Sequence, residues 1–141
     1  MSERAGAILA VDPGRDKCGI AVVSAAGEVL AREVIPAAEL GACARQLAGR
    51  FALGVIVVGD RTGADQALEA LESALPEVET AAVDEHRSTE EARRLYFRDN
   101  PPRGWRRLIP LTMQTPPGPY DDYVAVVLAR RYLRGGAQAA Y

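Results

Sequence analysis

The stretch Ala7–Val23, AILAVDPGRDKCGIAVV, constrains this chain more than any other. Five apolar residues, Ala7 to Val11, run without interruption into Asp12. An unbroken apolar run of strand length reads as a strand covered on both faces, hence one in the middle of a sheet. Pro13-Gly14-Arg15-Asp16 is turn material, and Gly19-Ile20-Ala21-Val22-Val23 is apolar again. Strands at 7–12 and 18–24 joined by so short a link form an antiparallel hairpin. A carboxylate at the end of a central strand is costly unless it faces a cleft or a cation. Asp12 is therefore the first candidate ligand of a divalent-metal site.

A turn at Ala25-Ala26-Gly27 leads into a third strand, 28–35. Pro36 suits the first turn of a helix, and Leu40, Ala44, Leu47 and Phe51 give that helix one apolar face. Val55-Ile56-Val57-Val58 is the second β-branched run, a central strand ending at Gly59-Asp60. Ala67, Leu68, Leu71, Ala74 and Leu75 mark a helix that Pro76 stops. A weaker strand, 78–83, ends at Asp84-Glu85. Ser88 with Glu91 fits a capping box, which starts a helix carrying Ala92, Leu95 and Tyr96 inward. Residues 105–114 match no element by pattern, and Thr115 to Pro119, with three prolines, is a loop. Asp121 and Asp122 open a last helix with Val124, Val127 and Leu128 along one side, and the tail from Gly135 is expected to fray. Right-handed crossovers then give an α/β fold: a mixed five-stranded sheet of order 3-2-1-4-5 with helices on both faces.

Length and composition narrow the function classes. The 141 residues are read as one domain, 1–141, with 48% apolar and 26% charged residues. No apolar run approaches ~20 residues, so no membrane span or membrane partner is expected. Met1-Ser2-Glu3-Arg4 lacks a signal-peptide plan, so a cytoplasmic location is expected. Cys18 and Cys43 are too few for a disulfide scaffold. The net charge of −2 is uninformative, but its distribution is not. Segment 62–85 holds seven acids and no base, whereas 86–115 holds seven arginines against three acids. Two readings compete for that basic stretch: a phosphate-gripping patch, or a solvated face in a chain that prefers arginine.

Strands 1, 4 and 5 run parallel in this scheme, with Asp12, Asp60 and Asp84-Glu85 at their C-terminal ends. That edge is where open α/β sheets bind ligands. The last helix adds Asp121 and Asp122. Crowded carboxylates repel and raise one another's pKa, and a dication relieves this. Hard oxygen donors without a His or Cys cluster favour Mg²⁺ or Mn²⁺, the ions of phosphodiester hydrolysis.

The motifs in order resemble the YqgF family of RuvC-like Holliday junction resolvases and pre-16S rRNA processing nucleases, which have an RNase H-like fold. The carrying segments are VDPGRDKCGIAVV, Val57-Val58-Gly59, Val83-Asp84-Glu85-His86-Arg87-Ser88-Thr89 and Asp122-Tyr123-Val124-Ala125-Val126. The likeness spans about Ala7 to Leu133. It implies that Asp12, Glu85 and Asp122 are the catalytic, metal-binding acids, with Mg²⁺ or Mn²⁺ as cofactor. It further implies branched DNA or precursor rRNA as partner. A junction substrate, having two strands to cut, implies a symmetric homodimer. The chain departs from the family at His86, where an arginine is usual, at Asp60, which adds an acid, and in the basic segment DNPPRGWRR.

Several alternatives stand beside this reading. Strand spacing of ~4.8 Å favours Asp60 as the neighbour of Asp12, while the family motif favours Glu85. Glu85 is taken as the ligand, with Asp60 as a fourth acid or a support. Asp122 and Asp121 also serve as plain helix caps. His86 is either a proton-transfer group or a surface histidine. Trp105, with Arg103, Arg106 and Arg107, either stacks on a base or anchors its segment to the core. Arg93, Arg94 and Arg98 complete the candidate phosphate contacts. The rival functions are a non-catalytic binding module for nucleic acid or a ribosome-assembly partner, and an actin-like or sugar-kinase ATPase, which needs two such lobes.

Overall fold

A computed structural model describes residues 6–110, 114, 116 and 119–135, and the backbone of 137–140. Among the described residues six strands form one sheet: β1 (Ala7–Asp12), β2 (Lys17–Val23), β3 (Val29–Pro36), β4 (Leu53–Gly59), β5 (Glu79–Val83) and β6 (Ala137–Ala140). Their order is β3-β2-β1-β4-β5-β6. The expected 3-2-1-4-5 arrangement is present: β1–β3 form an antiparallel meander, and β4 and β5 run parallel to β1. The tail corrects one expectation. It does not fray from Gly135; β6 pairs antiparallel with β5 and covers that strand's outer edge. Unpaired amides and carbonyls on a sheet edge favour such an addition even where the side chains carry no strand signal.

Among the described residues four α-helices cover the sheet: α1 (Leu40–Arg50), α2 (Ala64–Ala74), α3 (Ser88–Asp99) and α4 (Asp121–Leu133). Side chains alternate across a strand, and two cores result. Leu9, Val11, Ile20, Val22, Ile56 and Val58 pack under α1 and α2. Ile8, Ala10, Ala21, Val23, Val55, Val57, Ala81 and Val83 pack under α4, with Ala92 of α3 alongside. By the same alternation Asp12 and Gly59 fall on the α4 face. Helix α4 is buried from Asp122 through Ala129, far more than the single stripe expected, because it lies between the sheet and α3. Among the described residues no helix is long and apolar enough to cross a membrane.

Three local readings are revised. Pro36 ends β3 in extended conformation (ψ 139°), and one turn of 3-10 helix, Ala37–Glu39, precedes α1. Ser88 does not cap α3. The cap position is Arg87, in the left-handed region at φ 60°, and Ser88 is buried in the first turn with its N–H donating to the Glu85 carbonyl at 2.9 Å. The unassigned segment forms a 3-10 turn over Gly104–Leu108.

Candidate active site

Asp12 ends β1, level with Gly19 of β2 and one step past the Val11–Val58 pairing with β4. Glu85 lies two residues beyond β5 and is nonetheless buried, at 6% exposure. Its side chain reaches back across β4, over Gly59. A Cβ built at Gly59 would overlap the Glu85 carboxylate, so the missing side chain there is what opens the path to Asp12. Glu85 is held at both ends. Its Oε1 accepts from the Arg61 N–H at 3.2 Å, and its own N–H donates to Asp60 Oδ1 at 3.2 Å. The two candidates for the second acid thus occupy different posts. Glu85 touches Asp12, and Asp60, exposed, steadies the backbone that presents Glu85.

The Asp12 carboxyl is pushed up to about 8 by burial first, then by the charge and hydrogen bond of Glu85 and the charge of Asp121, against a smaller opposing pull from Arg61. At neutral pH the Asp12–Glu85 pair therefore holds a proton unless a cation takes its place. Asp121, half-buried, is the third acid of this group, and Lys17 Nζ lies 3.7 Å from its Oδ2. Gly19 sets the approach, since a Cβ there would overlap the Asp121 carbonyl. The first turn of α4 can sit against β2 only because that position is glycine.

Asp122 is directed elsewhere. Neighbouring helical residues diverge by about 100°, so Asp121 and Asp122 cannot both face Asp12. Asp122, 7% exposed, accepts from Arg32 Nη1 at 2.9 Å and from the Tyr123 N–H at 3.1 Å. The Arg32 guanidinium lies 4.1 Å from the centre of the Tyr123 ring. The Tyr123 hydroxyl donates to Asp99 at 3.2 Å and accepts from Asn100 at 3.4 Å. Burial pushes that hydroxyl's pKa up, against the pull of Arg32. Of the three acids implied by the resemblance, Asp12 and Glu85 are in contact, and Asp122 is neutralised by an arginine of β3.

Among the described residues no three His, Cys, Asp or Glu side chains converge closely enough to cage a metal. A pair of carboxylates nevertheless suits Mg²⁺, which keeps several waters and takes one or two carboxylate ligands. The remaining candidates are peripheral. His86 is exposed, and its N–H donates to Asp84 Oδ1 at 2.8 Å. Burial pushes the Cys18 thiol up, as expected for an inert core cysteine. Arg94, Arg98, Arg103, Arg106 and Arg107 are exposed, while Arg93 is half-buried and donates to the Gln114 carbonyl at 3.3 Å. Sequence reasoning overlooked Arg15 and Arg61. They line a cleft of about 680 Å³ with Asp60, Thr62, Gly63 and Gln66. A second recess, of about 650 Å³, passes Asp12, Gly14, Lys17 and Asp121 and shares Arg15. Both arginines fall in loops at the C-terminal ends of central strands, the signal that should have marked them.

An antiparallel meander continued by two parallel strands, with helices on both faces, is the RNase H-like α/β architecture. No protein-family model matches the chain, and no curated protein sequence matches it. Solved structures do. RuvC of T. thermophilus in complex with a Holliday junction substrate superposes with a TM-score of 0.63 at 18% identity, covering 93% of this chain and 97% of that one. A second Thermus thermophilus RuvC structure gives 0.61 at 19% identity, covering 93% and 98%. The shared property at that identity is the fold.

Proposed function

We propose that this chain is a divalent-metal-dependent nuclease that hydrolyses phosphodiester bonds in structured nucleic acid. The observation that carries the reading is the Asp12–Glu85 pair. Two carboxylates are pressed together at the ligand-binding edge of the sheet, with a third acid close by and, among the described residues, no lysine or arginine side chain ion-paired to either. Asp12 and Glu85 would hold Mg²⁺ or Mn²⁺, with the Asp121 carboxylate adding negative charge beside them. Asp122, the residue the resemblance points to, instead fixes α4 against β3. When bound, the dication supplies a Lewis acid beside the phosphorus. Arg61 holds Glu85 in place through its backbone N–H, and the Arg15 and Arg61 side chains are positioned to take phosphate oxygens. The substrate reading extends to YqgF-like and RuvC-like roles, namely cutting four-way DNA junctions or maturing the 5′ end of pre-16S rRNA in the cytoplasm. A junction substrate calls for a symmetric dimer with two sites.

A second reading, the non-catalytic binding module, is favoured by one observation: Arg32 neutralises Asp122. It predicts nucleic-acid binding that survives chelation and loss of Asp12. Cleavage of four-way junction DNA and of single-stranded RNA with Mn²⁺ separates the two. Asp12→Asn is expected to lower the rate on the order of 10³-fold or more. A rate unchanged by that substitution would remove the proposed chemistry.

A further inference from the structure

The segment between α3 and α4 presents an aromatic side chain to solvent among positive charges. Trp105 is 69% exposed and Leu108 86% exposed, so Trp105 does not anchor the segment to the core. Residues 100–119 contain three arginines and no acid. Arg103, Arg106 and Arg107 are all exposed, and among the described residues none forms an ion pair. The Arg106 guanidinium stands 6.0 Å from the Trp105 ring centre. This turn is nevertheless held firmly. Gln114, 8% exposed, donates to the Arg106 carbonyl at 2.8 Å and the Ile109 carbonyl at 3.0 Å, and its own carbonyl accepts from Arg93. Asn100, at the base of the segment, is bonded to Tyr123, two residues from Asp121. The turn is thus a hydrogen-bonded platform whose base is tied to the first turn of α4.

We infer that the Gly104–Leu108 turn is a stacking platform for an unpaired base, with Trp105 under the base and Arg103, Arg106 and Arg107 on the flanking phosphates. Every base offers a π face, and every flanking phosphate a negative charge, so DNA and RNA share the chemistry it would recognise. A protein partner is less suited: an exposed aromatic residue among arginines, in a stretch 100–119 that contains no acid, matches a uniformly negative ligand. The inference rests on the nuclease reading only for its purpose, since the platform would deliver branched or single-stranded substrate to the acidic pair.

Trp105 is the sole tryptophan, so its emission reports on this turn alone. Binding would be followed in EDTA by tryptophan emission with unlabelled ligands and by anisotropy with end-labelled ones. The ligands are single-stranded DNA, RNA of the same sequence, a blunt duplex and a four-way junction. The single strands and the junction are expected to quench Trp105, and the blunt duplex, with its bases stacked, to quench it least. Trp105→Ala should bind single strands roughly 5- to 150-fold more weakly, and Trp105→Phe should restore most of the loss. Replacing Arg106 and Arg107 by Gln should lower the log–log salt slope on single strands by roughly 1.4. Single-strand binding with unchanged emission, Trp105→Ala binding within two-fold of the parent, or no binding of any ligand would each overturn the platform. Quenching without Mn²⁺-dependent cleavage upholds the platform and defeats the nuclease reading, while cleavage without quenching does the reverse.

Discussion

Asp12 and Asp122 are both carboxylates largely withdrawn from solvent, and their surroundings are opposite. Asp12 faces two more acids, Glu85 and Asp121, and is held protonated by its burial first and then by their company. Asp122 faces Arg32, a tyrosine ring and its neighbour's N–H. The first arrangement is electrostatically incomplete without an added cation, and the second is complete within the fold. Structural acids are paired where they stand, whereas an acid cluster at a sheet edge is tolerated for what it can bind.

Neutralising substitutions should separate the two regions most sharply. Asp121→Asn is expected to cost at least 100-fold in cleavage while leaving the melting temperature level or higher, because a repulsive charge is removed. Asp122→Asn should instead destabilise the fold by about 2 kcal/mol, a figure reduced for the partial exposure of Arg32, with a smaller effect on the rate of the folded fraction. Thermal melts beside cleavage rates check both. If Asp122→Asn abolishes cleavage in a protein of unchanged stability, the assignments of the two aspartates must be exchanged.

The glycines extend the same contrast. At Gly59 the obstructing atoms belong to the flexible end of Glu85, whereas at Gly19 they belong to the α4 backbone. Gly59→Ala should therefore move the Glu85 carboxylate and lower the rate roughly 10- to 100-fold at small cost in stability. Gly19→Ala has no side chain to displace and should cost about 2–4 kcal/mol. Equal melting temperatures for the two variants would contradict these packing assignments.

The gentlest probe is pH. The folded Asp12 carboxyl sits near 8, against an ordinary 3.8. Between those values the folded protein keeps a proton that the unfolded chain has released. Stability without divalent ions must therefore fall as pH rises from about 4 to about 8 and level off beyond. A loss on the order of 2–4 kcal/mol is expected across that window. Mg²⁺ or Mn²⁺ should recover much of it at pH 8, and Asp12→Asn should flatten the profile. Denaturant melts in chelator at stepped pH measure this, and a profile that rises toward pH 8 would contradict the crowding of Asp12 and Glu85.

Much of this arrangement was legible in the residues. The apolar runs of β1 and β4 announced central strands, and their order along the chain gave the sheet arrangement. Asp12 and Glu85 could be singled out, although only the structure shows Gly59 clearing the path between strands. The choice between Asp121 and Asp122 depends on the rotation of α4 about its axis, which Gly19 fixes through a contact about a hundred residues away in sequence. Adjacent identical residues carry no signal of that phase. Ser88 and Glu91 satisfied a local capping pattern that the left-handed Arg87 displaced, and Glu91 instead meets Arg131 at 3.0 Å. β6 was invisible because its alanines and single glutamine state no preference, and β5 supplies the reason for pairing.

The pairing of β6 on β5 leaves the long strand β3 as the opposite margin of the sheet. Its middle carries Arg32 and Glu33, charges of the kind that discourage edge-to-edge polymerisation of sheet proteins. Arg32 holds Asp122 inside, and with Glu33 it places charge on the margin where a further strand would add. Its removal would show first as insolubility at high concentration, a colloidal failure easily mistaken for loss of the fold.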